Sequence, residues 1–218
     1  STFDSTSNIS KINRNQPVEL HPLFLQCYRR AIEISEITGG AFDITAGPMV
    51  NAWGFGPEER RKVTPEKIDS LKAITGYRKI HLYDGRIEKE NPNMKLDMSA
   101  IAKGFTCDLL GHFLAEKGCK NYMVEIGGEV VAKGKNEKDR TWTIGISKPD
   151  ESAFWGASDL QAKVQLPDEA LATSGNYRNF YVEDGKKYAH TIDPQAGYPV
   201  QHSLLSATVL ANSCMDAD

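Results

Sequence analysis

The stretch Lys95–Phe105, KLDMSAIAKGF, predicts the end of a strand followed directly by the start of a helix. Asp97 and Ser99 can each cap the first helical turn, because their side-chain oxygens accept hydrogen bonds from its unpaired amides. Three small residues keep this turn bare enough for a ligand to approach the backbone: Ala100, Ala102 and Gly104. A carboxylate, a lysine and a helix N-terminus then form a candidate site for a phosphorylated ligand and its counter-ion. A plain capped helix with a surface lysine is the alternative.

The composition is that of an ordinary globular chain. With 218 residues, 40% hydrophobic and 25% charged, it suits one domain or one and a half. A net charge of −3 argues against a nucleic-acid binder or a polybasic membrane surface. No apolar run approaches the roughly 20 residues that span a bilayer. Both terminal segments, STFDSTSN and SCMDAD, resemble interior sequence, so we interpret residues 1–218 as a single domain trimmed at both ends.

Helical patterns occur in three places. An apolar stripe predicts a helix from Pro22 to Thr38, and a second helix, Pro65–Thr75, begins after a Thr64 cap. A third is predicted from Ala100 to Lys117. Residues 46–59, AGPMVNAWGFGPEE, are too rich in proline and glycine to predict a regular element.

Strand patterns fill most of the remaining sequence. They are predicted at Lys79–Tyr83, Arg86–Glu88, Tyr122–Ile126, Glu129–Lys133, Thr141–Ile146, Ala162–Leu166, Asn179–Val182, Lys187–Thr191 and Ser203–Leu210. Asp84-Gly85 and Asp184-Gly185 are hairpin-turn signals. We therefore predict an α+β fold with mixed, largely antiparallel sheets and flanking helices.

Two glycine-rich segments are further candidates. In residues 39–56, the rings of Phe42, Trp53 and Phe55 offer flat apolar surfaces for a ring system. EIGGE, residues 125–129, is a strand broken by two glycines, which indicates a bulge or a close backbone approach. The approaching group is either a ligand or another strand, and we favour the structural explanation.

Two segments near the C-terminus carry candidate polar groups. In ATSGNYRNF, residues 172–180, Ser174-Gly175 is predicted on a turn outside any GxSxG context, which argues against a nucleophile elbow. Arg178 is a residue type that pairs with phosphate or carboxylate. In HTIDPQAG, residues 190–197, His190 at a strand end is a candidate proton carrier or a structural histidine.

Six blocks, taken in order, resemble the signature motifs of the ApbE family, the FAD:protein FMN transferases. They are GAFDIT, LDMSAIAKG, EIGGE, ATSGNYR, HTIDPQAG and the terminal MDAD. The resemblance extends over nearly the whole chain. It implies a two-lobed single domain that binds FAD and a divalent metal, usually Mg²⁺.

The resemblance also implies an activity and a location. Family members cleave the FAD pyrophosphate, transfer FMN to a threonine or serine hydroxyl of an acceptor protein, and release AMP. The usual acceptors are flavoprotein subunits of the sodium-pumping NADH:quinone reductase and related electron-transfer complexes. Most members are bacterial lipoproteins or secreted proteins at the outer face of the inner membrane, in the periplasm. A lipid anchor, if present, would lie outside residues 1–218.

Several residues match positions that contact FAD in the family. These positions are Phe3, Ala41, Phe42, Asp43, Asp97, Lys103 and Ile192. Many transferases carry a tyrosine at the position of Phe3, stacked on the isoalloxazine ring. Phenylalanine keeps the stacking face but has no hydroxyl group.

Two further matches concern the metal. Ala100 matches the position whose backbone carbonyl binds it, and Asp218 matches the metal-binding aspartate of the family. Both are hard oxygen donors, which Mg²⁺ prefers. The family also uses a threonine four residues after this aspartate. We therefore expect residues 1–218 to provide an incomplete metal site.

The chemistry requires a base, because the attacking hydroxyl has a high pKa. His190 is the first candidate and Asp97 the second, while Arg178 is a candidate for stabilising charge near the phosphates. Two alternatives to the transferase remain open. One is a FAD pyrophosphatase that yields FMN and AMP, and the other is a FAD-binding protein without catalysis.

Overall fold

Helices alternate with antiparallel strands in the structure, a computed structural model that describes Thr2 and residues 4–56, 63–149, 159–177 and 179–218. The helices in these ranges are α1 (Asn8–Asn13), α2 (Pro22–Ile37), α3 (Gly47–Ala52), α4 (Pro65–Ala73), α5 (Ser99–Glu116) and α6 (Cys214–Ala217). A short 3₁₀ turn occupies Tyr77–Lys79.

Twelve strands lie in the same described ranges. They are β1 (Ile80–Tyr83), β2 (Arg86–Lys89), β3 (Tyr122–Ile126), β4 (Glu129–Lys133), β5 (Trp142–Ser147), β6 (Leu160–Leu166), β7 (Ala170–Gly175), β8 (Phe180–Glu183), β9 (Lys186–Ala189), β10 (Ile192–Asp193), β11 (Tyr198–Pro199) and β12 (Ser206–Ala211). The pairings between them are antiparallel. The predicted α+β class with largely antiparallel sheets is therefore confirmed.

The chain divides into two compact units. Unit 1 comprises Ser1–Ser99 and Asn179–His202, and unit 2 comprises Ala100–Arg178 and Ser203–Asp218. The interpretation of residues 1–218 as one functional domain stays a prediction.

Unit 1 is built around an apolar cluster beneath its hairpins. Its buried members are Met49, Trp53, Ile68, Leu71 and Ile192. The rings of Trp53, Tyr188 and Tyr181 stack in series, with centroids 5.7 and 5.2 Å apart. The β8–β9 hairpin therefore packs its aromatic face on this core.

Unit 2 is a three-layer arrangement around a four-stranded sheet of order β12-β7-β4-β3. On one face, Val130, Ala132 and Leu171 pack against apolar side chains of the β5–β6 hairpin. On the other face, Cys107 of α5 and Cys214 of α6 are fully buried against the sheet. Helices α5 and α6 therefore lie on the same face of the sheet.

Two local predictions were wrong. Residues 46–59 contain α3, because Pro48 lies where a missing amide costs no helical bond and Met49 is fully buried. Ser174-Gly175 belongs to β7 and not to a turn. Both residues pair with β12, in the registers Ala207↔Ser174 and Ser206↔Gly175.

Candidate functional site

Two carboxylates from separate segments of unit 2 meet at the ammonium group of Lys103. Lys103 Nζ forms an ion pair with Glu129 Oε1 and lies 3.5 Å from Asp218 Oδ1. The Glu129 and Asp218 side chains are only 4% and 6% exposed, whereas that of Lys103 is 44% exposed. Two nearly buried carboxylates thus share one partly exposed cation. We call these three residues the carboxylate–lysine cluster.

Asp218 is held against α5 at Gly104, a position where a side chain would not fit. Gly104 N–H donates to Asp218 Oδ2 at 2.9 Å. A Cβ at Gly104 would overlap the Cys214 carbonyl oxygen and lie 2.8 Å from Asp218 Cβ. Glycine is therefore required for α6 to approach α5 this closely.

The start of α6 is capped by a side chain of α5. Asp108 accepts hydrogen bonds from the Cys214 and Met215 amides, each at 2.8 Å, and Ser213 Oγ accepts one from Asp216 N–H at 3.2 Å. These bonds pair amides that the helix itself leaves without partners. Residues of α5 thereby bind both the start of α6, through Asp108, and Asp218, through Gly104.

Burial acts most strongly on the pKa values in the cluster, followed by the bonds and charges among its members. Burial raises the pKa of the Glu129 carboxyl and outweighs the hydrogen bond from Lys103, which lowers it. Burial works against the charged form of Lys103, but its bonds to Glu129 and the charge of Asp218 prevail, so the pKa of the ammonium is raised. Both directions indicate that the cluster favours an added positive charge.

Ala100 lies where α5 departs from helical geometry, with φ −88° and ψ 18°. In an uninterrupted helix, its carbonyl would accept the Gly104 amide proton. The Asp218 carboxylate competes for that single proton. Because a carbonyl oxygen has two lone pairs, that of Ala100 could accept a further electropositive partner. Its role as a metal ligand stays a prediction.

The donors of unit 2 fit a hard cation in chemistry. Carboxylate and carbonyl oxygens are the ligands that Mg²⁺ takes in proteins. Within the described ranges, however, no group of three or more His, Cys, Asp or Glu side chains could hold a metal ion. A cation there would need backbone, substrate or water oxygens to complete its shell.

The other site residues that the structure describes lie in unit 1. The first of them, Ala41 to Asp43, form a loop held by several hydrogen bonds. Asp43 Oδ1 accepts the Thr45 amide at 2.8 Å and its hydroxyl at 2.6 Å, while Oδ2 accepts Tyr77 N–H at 2.9 Å. Ala41 is exposed and Phe42 is half-buried beside it. Asp43 therefore shapes this loop, whereas Ala41 and Phe42 keep exposed surface that a ligand could contact.

Asp97 performs the capping that its sequence predicts. Its Oδ1 accepts Ser99 N–H at 2.8 Å, and its own amide donates to Ile44 O at 2.7 Å. An added Cβ at Gly47 would lie 3.3 Å from Asp97 Cβ. Asp97 is thus joined to the segment that follows Asp43. The cap expected from Ser99 is not among the described bonds, because Ser99 is the first residue of the helix itself.

His190 follows β9 and is held by a backbone carbonyl. Its Nδ1 lies 3.3 Å from the Asn179 oxygen, and its amide donates to the same oxygen at 3.1 Å. A nitrogen that donates to a carbonyl must carry a proton, so in the neutral ring Nε2 is the basic nitrogen. Phe55 packs edge-on against the ring, with centroids 6.3 Å apart. The role of His190 as a base stays a prediction.

Ile192 belongs to the core of unit 1, and a tight turn follows it. The Ile192 side chain is 9% exposed within the apolar cluster. Asp193 Oδ1 accepts the amides of Gln195 and Ala196, and Gly197 closes the turn at φ 80°. Gln195 Nε2 then donates to Gly39 O at 2.7 Å. The predicted tight turn is confirmed, and it connects the HTIDPQAG segment to the Gly39–Gly40 turn.

Two candidate residues, Phe3 and Arg178, lie outside the described residues. The structure adds one residue that the sequence prediction missed, Glu129. The glycines of EIGGE form the β3–β4 turn at φ 61° and 101° and not the predicted bulge. The signal for Glu129 was an acid placed next to those glycines at the start of a strand.

Replacing Gly104 with alanine should detach Asp218 from α5. We expect a loss of about 1–3 kcal/mol in the free energy of unfolding, because the new methyl group displaces the Cys214 carbonyl. Hydrogen exchange at the Asp218 amide, which donates to Cys214 O at 2.9 Å, would accelerate in the variant. The control is Thr106→Ala at an exposed position of the same helix. Unchanged protection of Asp218 in the glycine variant would contradict this packing.

Known proteins resemble the chain over its whole length. The model of the ApbE family matches residues 1–218. The FAD:protein FMN transferases of Haemophilus influenzae and Vibrio cholerae are 42% and 40% identical to it, with all of this chain aligned. The chain spans 65% and 66% of their respective lengths. The solved structure of the flavin transferase ApbE from Vibrio cholerae superposes with a TM-score of 0.86 at 39% identity, covering 100% of this chain and 69% of that one.

Proposed function

The chain belongs to the ApbE family, and from this premise we propose that the protein transfers FMN from FAD to a threonine or serine hydroxyl of an acceptor flavoprotein, with Mg²⁺, and releases AMP. The observation that carries the proposal is the carboxylate–lysine cluster. In this cluster the Lys103 Nζ lies 3.5 Å from Asp218 Oδ1. The resemblance implies FAD contact for the position of Lys103 and metal binding for that of Asp218. A pyrophosphate with its counter-ion requires this combination of groups.

The reaction follows from the charges that develop. The acceptor oxygen forms a bond to the phosphorus of the FMN half, and the bond from that phosphorus to the bridging oxygen breaks, so AMP leaves with the electron pair. His190 Nε2 accepts the hydroxyl proton, and the Asn179 carbonyl supports the imidazolium that results. Bound Mg²⁺ would neutralise charge on the phosphate oxygens.

The other residues have binding roles. The ammonium of Lys103 is sufficiently exposed to meet a phosphate oxygen, and its side chain is long and flexible. Asp218 and the Ala100 carbonyl would hold the cation with hard oxygen donors. Ala41, Phe42, Asp43, Asp97 and Ile192 are proposed to bind the nucleotide, as their positions do in the family.

We also propose that the acceptors are flavoprotein subunits of the sodium-pumping NADH:quinone reductase or a related electron-transfer complex. The corresponding location is the periplasm at the outer face of the bacterial inner membrane, with a lipid anchor as the attachment. Family membership is the support for both proposals. None of the helices in the described ranges is long and apolar enough to cross a membrane.

Mass spectrometry of an acceptor polypeptide incubated with the protein, FAD and Mg²⁺ tests the proposed reaction. The expected products are a covalent FMN adduct on a threonine or serine and an equal amount of AMP. Free FMN with AMP and no adduct would support the pyrophosphatase, and unconverted bound FAD would support the non-catalytic binder.

A further inference from the structure

Glu129 has a buried carboxylate oxygen without a partner. The residue is 3% exposed, and its Oε1 pairs with Lys103 while Oε2 has no hydrogen-bond partner among the described residues. Removing a carboxylate from water is unfavourable unless both oxygens find positive or donor groups. An unmatched oxygen on a nearly buried acid therefore points to a cationic partner that binds in this place.

The Lys103 ammonium lies where such a cationic partner would bind. Lys103 Nζ contacts Glu129 Oε1 and lies 3.5 Å from Asp218 Oδ1, so the two carboxylates converge on a single point. A small cation at this point would reach oxygens of both acids with little movement of either. The two negative charges exceed the one positive charge, so an exchange of a monovalent for a divalent cation would neutralise the cluster.

The surroundings permit the exchange. Lys103 is 44% exposed, so its side chain has room to leave the cluster. The exposed Gly127 lies over the acid, and a Cβ there would be 3.6 Å from Glu129 Oε2 and 3.7 Å from Lys103 Cδ. Because Gly127 has no side chain, a hydrated ion can approach the carboxylate.

We propose that Glu129 is a ligand of the divalent cation together with Asp218, and that Lys103 Nζ occupies the cation's position until the ion binds. The inference rests on the proposed function only in assigning a divalent cation to Asp218. It adds a ligand to the two positions, Ala100 and Asp218, that the family resemblance implies. The departing ammonium becomes available to the FAD phosphates, so metal and nucleotide binding would be coupled.

Binding of Mn²⁺ in the absence of FAD tests this assignment without any turnover. We expect Glu129→Gln to weaken Mn²⁺ binding roughly 10-fold or more, on the scale seen for the loss of a supporting group at a metal site. Lys103→Met should strengthen it severalfold, because the competing ammonium is gone. The matched control is Glu125→Gln, an exposed acid at the other end of the EIGGE segment, which should bind Mn²⁺ unchanged.

The double variant separates a ligand from a residue that acts only through Lys103. In the Lys103→Met background, Glu129→Gln should again weaken Mn²⁺ binding roughly 10-fold. No further weakening there would overturn the proposal, and so would a failure of Lys103→Met to strengthen binding. Neither result would bear on FMN transfer, since FAD is absent.

Anomalous scattering from Mn²⁺ in crystals of the unaltered protein gives a test that does not depend on variants. The expected peak lies within coordination distance of both Glu129 and Asp218, with Lys103 moved away. A peak at Asp218 with Glu129 still paired to Lys103 would refute the assignment. So would the absence of any peak in the cluster.

Discussion

The His190→Ala variant should transfer FMN about 100-fold more slowly than the unaltered protein, with FAD binding retained. The structure gives the reason, because the Asn179 carbonyl at 3.3 Å from Nδ1 leaves Nε2 as the basic nitrogen of the neutral ring. Single-turnover measurements with saturating FAD and acceptor would report the chemical step directly.

Controls separate a base from a structural histidine. His81→Ala changes an exposed histidine that pairs with Glu90 at 3.4 Å, and it should leave the transfer rate unchanged. His190→Gln can keep a donor toward the Asn179 carbonyl while removing the base, so it should be as slow as the alanine variant. A loss below about threefold in either His190 variant would rule out general-base catalysis by this residue.

The Asp218→Asn variant should lose the dependence of activity on Mg²⁺, with transfer slowed by roughly 10³-fold. Lewis-acid stabilisation by a metal contributes several kcal/mol, and 1.36 kcal/mol corresponds to a factor of ten. The asparagine oxygen can still accept the Gly104 amide, so the fold around α6 should be preserved. Activity measured against Mg²⁺ concentration, with thermal denaturation for stability, checks both parts.

Asp216→Asn is the matched control, since Asp216 is an exposed carboxylate of α6 two residues before Asp218. It should retain its response to Mg²⁺. Equal effects of the two substitutions would indicate a general loss of negative charge and would contradict a specific role for Asp218.

Elements with local signals were predictable from the sequence. Helix α4 begins where Thr64 and Pro65 predicted, and Thr64 Oγ1 accepts the Lys67 amide at 3.3 Å. The β1–β2 hairpin turns at Asp84-Gly85, with φ of 45° and 70°. Helix caps and two-residue hairpin turns depend on only a few neighbouring residues, so they can be predicted from the local sequence.

Elements that depend on distant partners were not predictable in the same way. Helix α3 is stabilised by burial of Met49 and, just after the helix, by Trp53, whose Nε1 donates to Gly197 O at 2.9 Å. Strand β7 follows from its pairing with β4 and β12. The local sequence of α3 is dominated by glycine and proline, and that at the end of β7 by a Ser-Gly pair. In each element tertiary contacts outweigh the local preference for irregular structure.

The candidate site likewise contains residues that the sequence predicted and one that it did not. The sequence indicated Lys103, Asp218 and His190, because each of them lies within a motif that resembles one of the family. They did not show that Lys103 pairs with a buried Glu129, since these residues come from a helix and a strand far apart in sequence. The orphaned oxygen of Glu129 is a property of packing and could be found only in three dimensions.

The central claim is the transfer of FMN from FAD to a protein hydroxyl, and its most direct measurement is the mass of an acceptor domain after incubation with the protein, FAD and Mg²⁺. The account predicts an acceptor heavier by one FMN, with the adduct on a threonine or serine and lost when that residue is replaced by valine or alanine, respectively. An acceptor of unchanged mass, with either free FMN or intact FAD in solution, would contradict it.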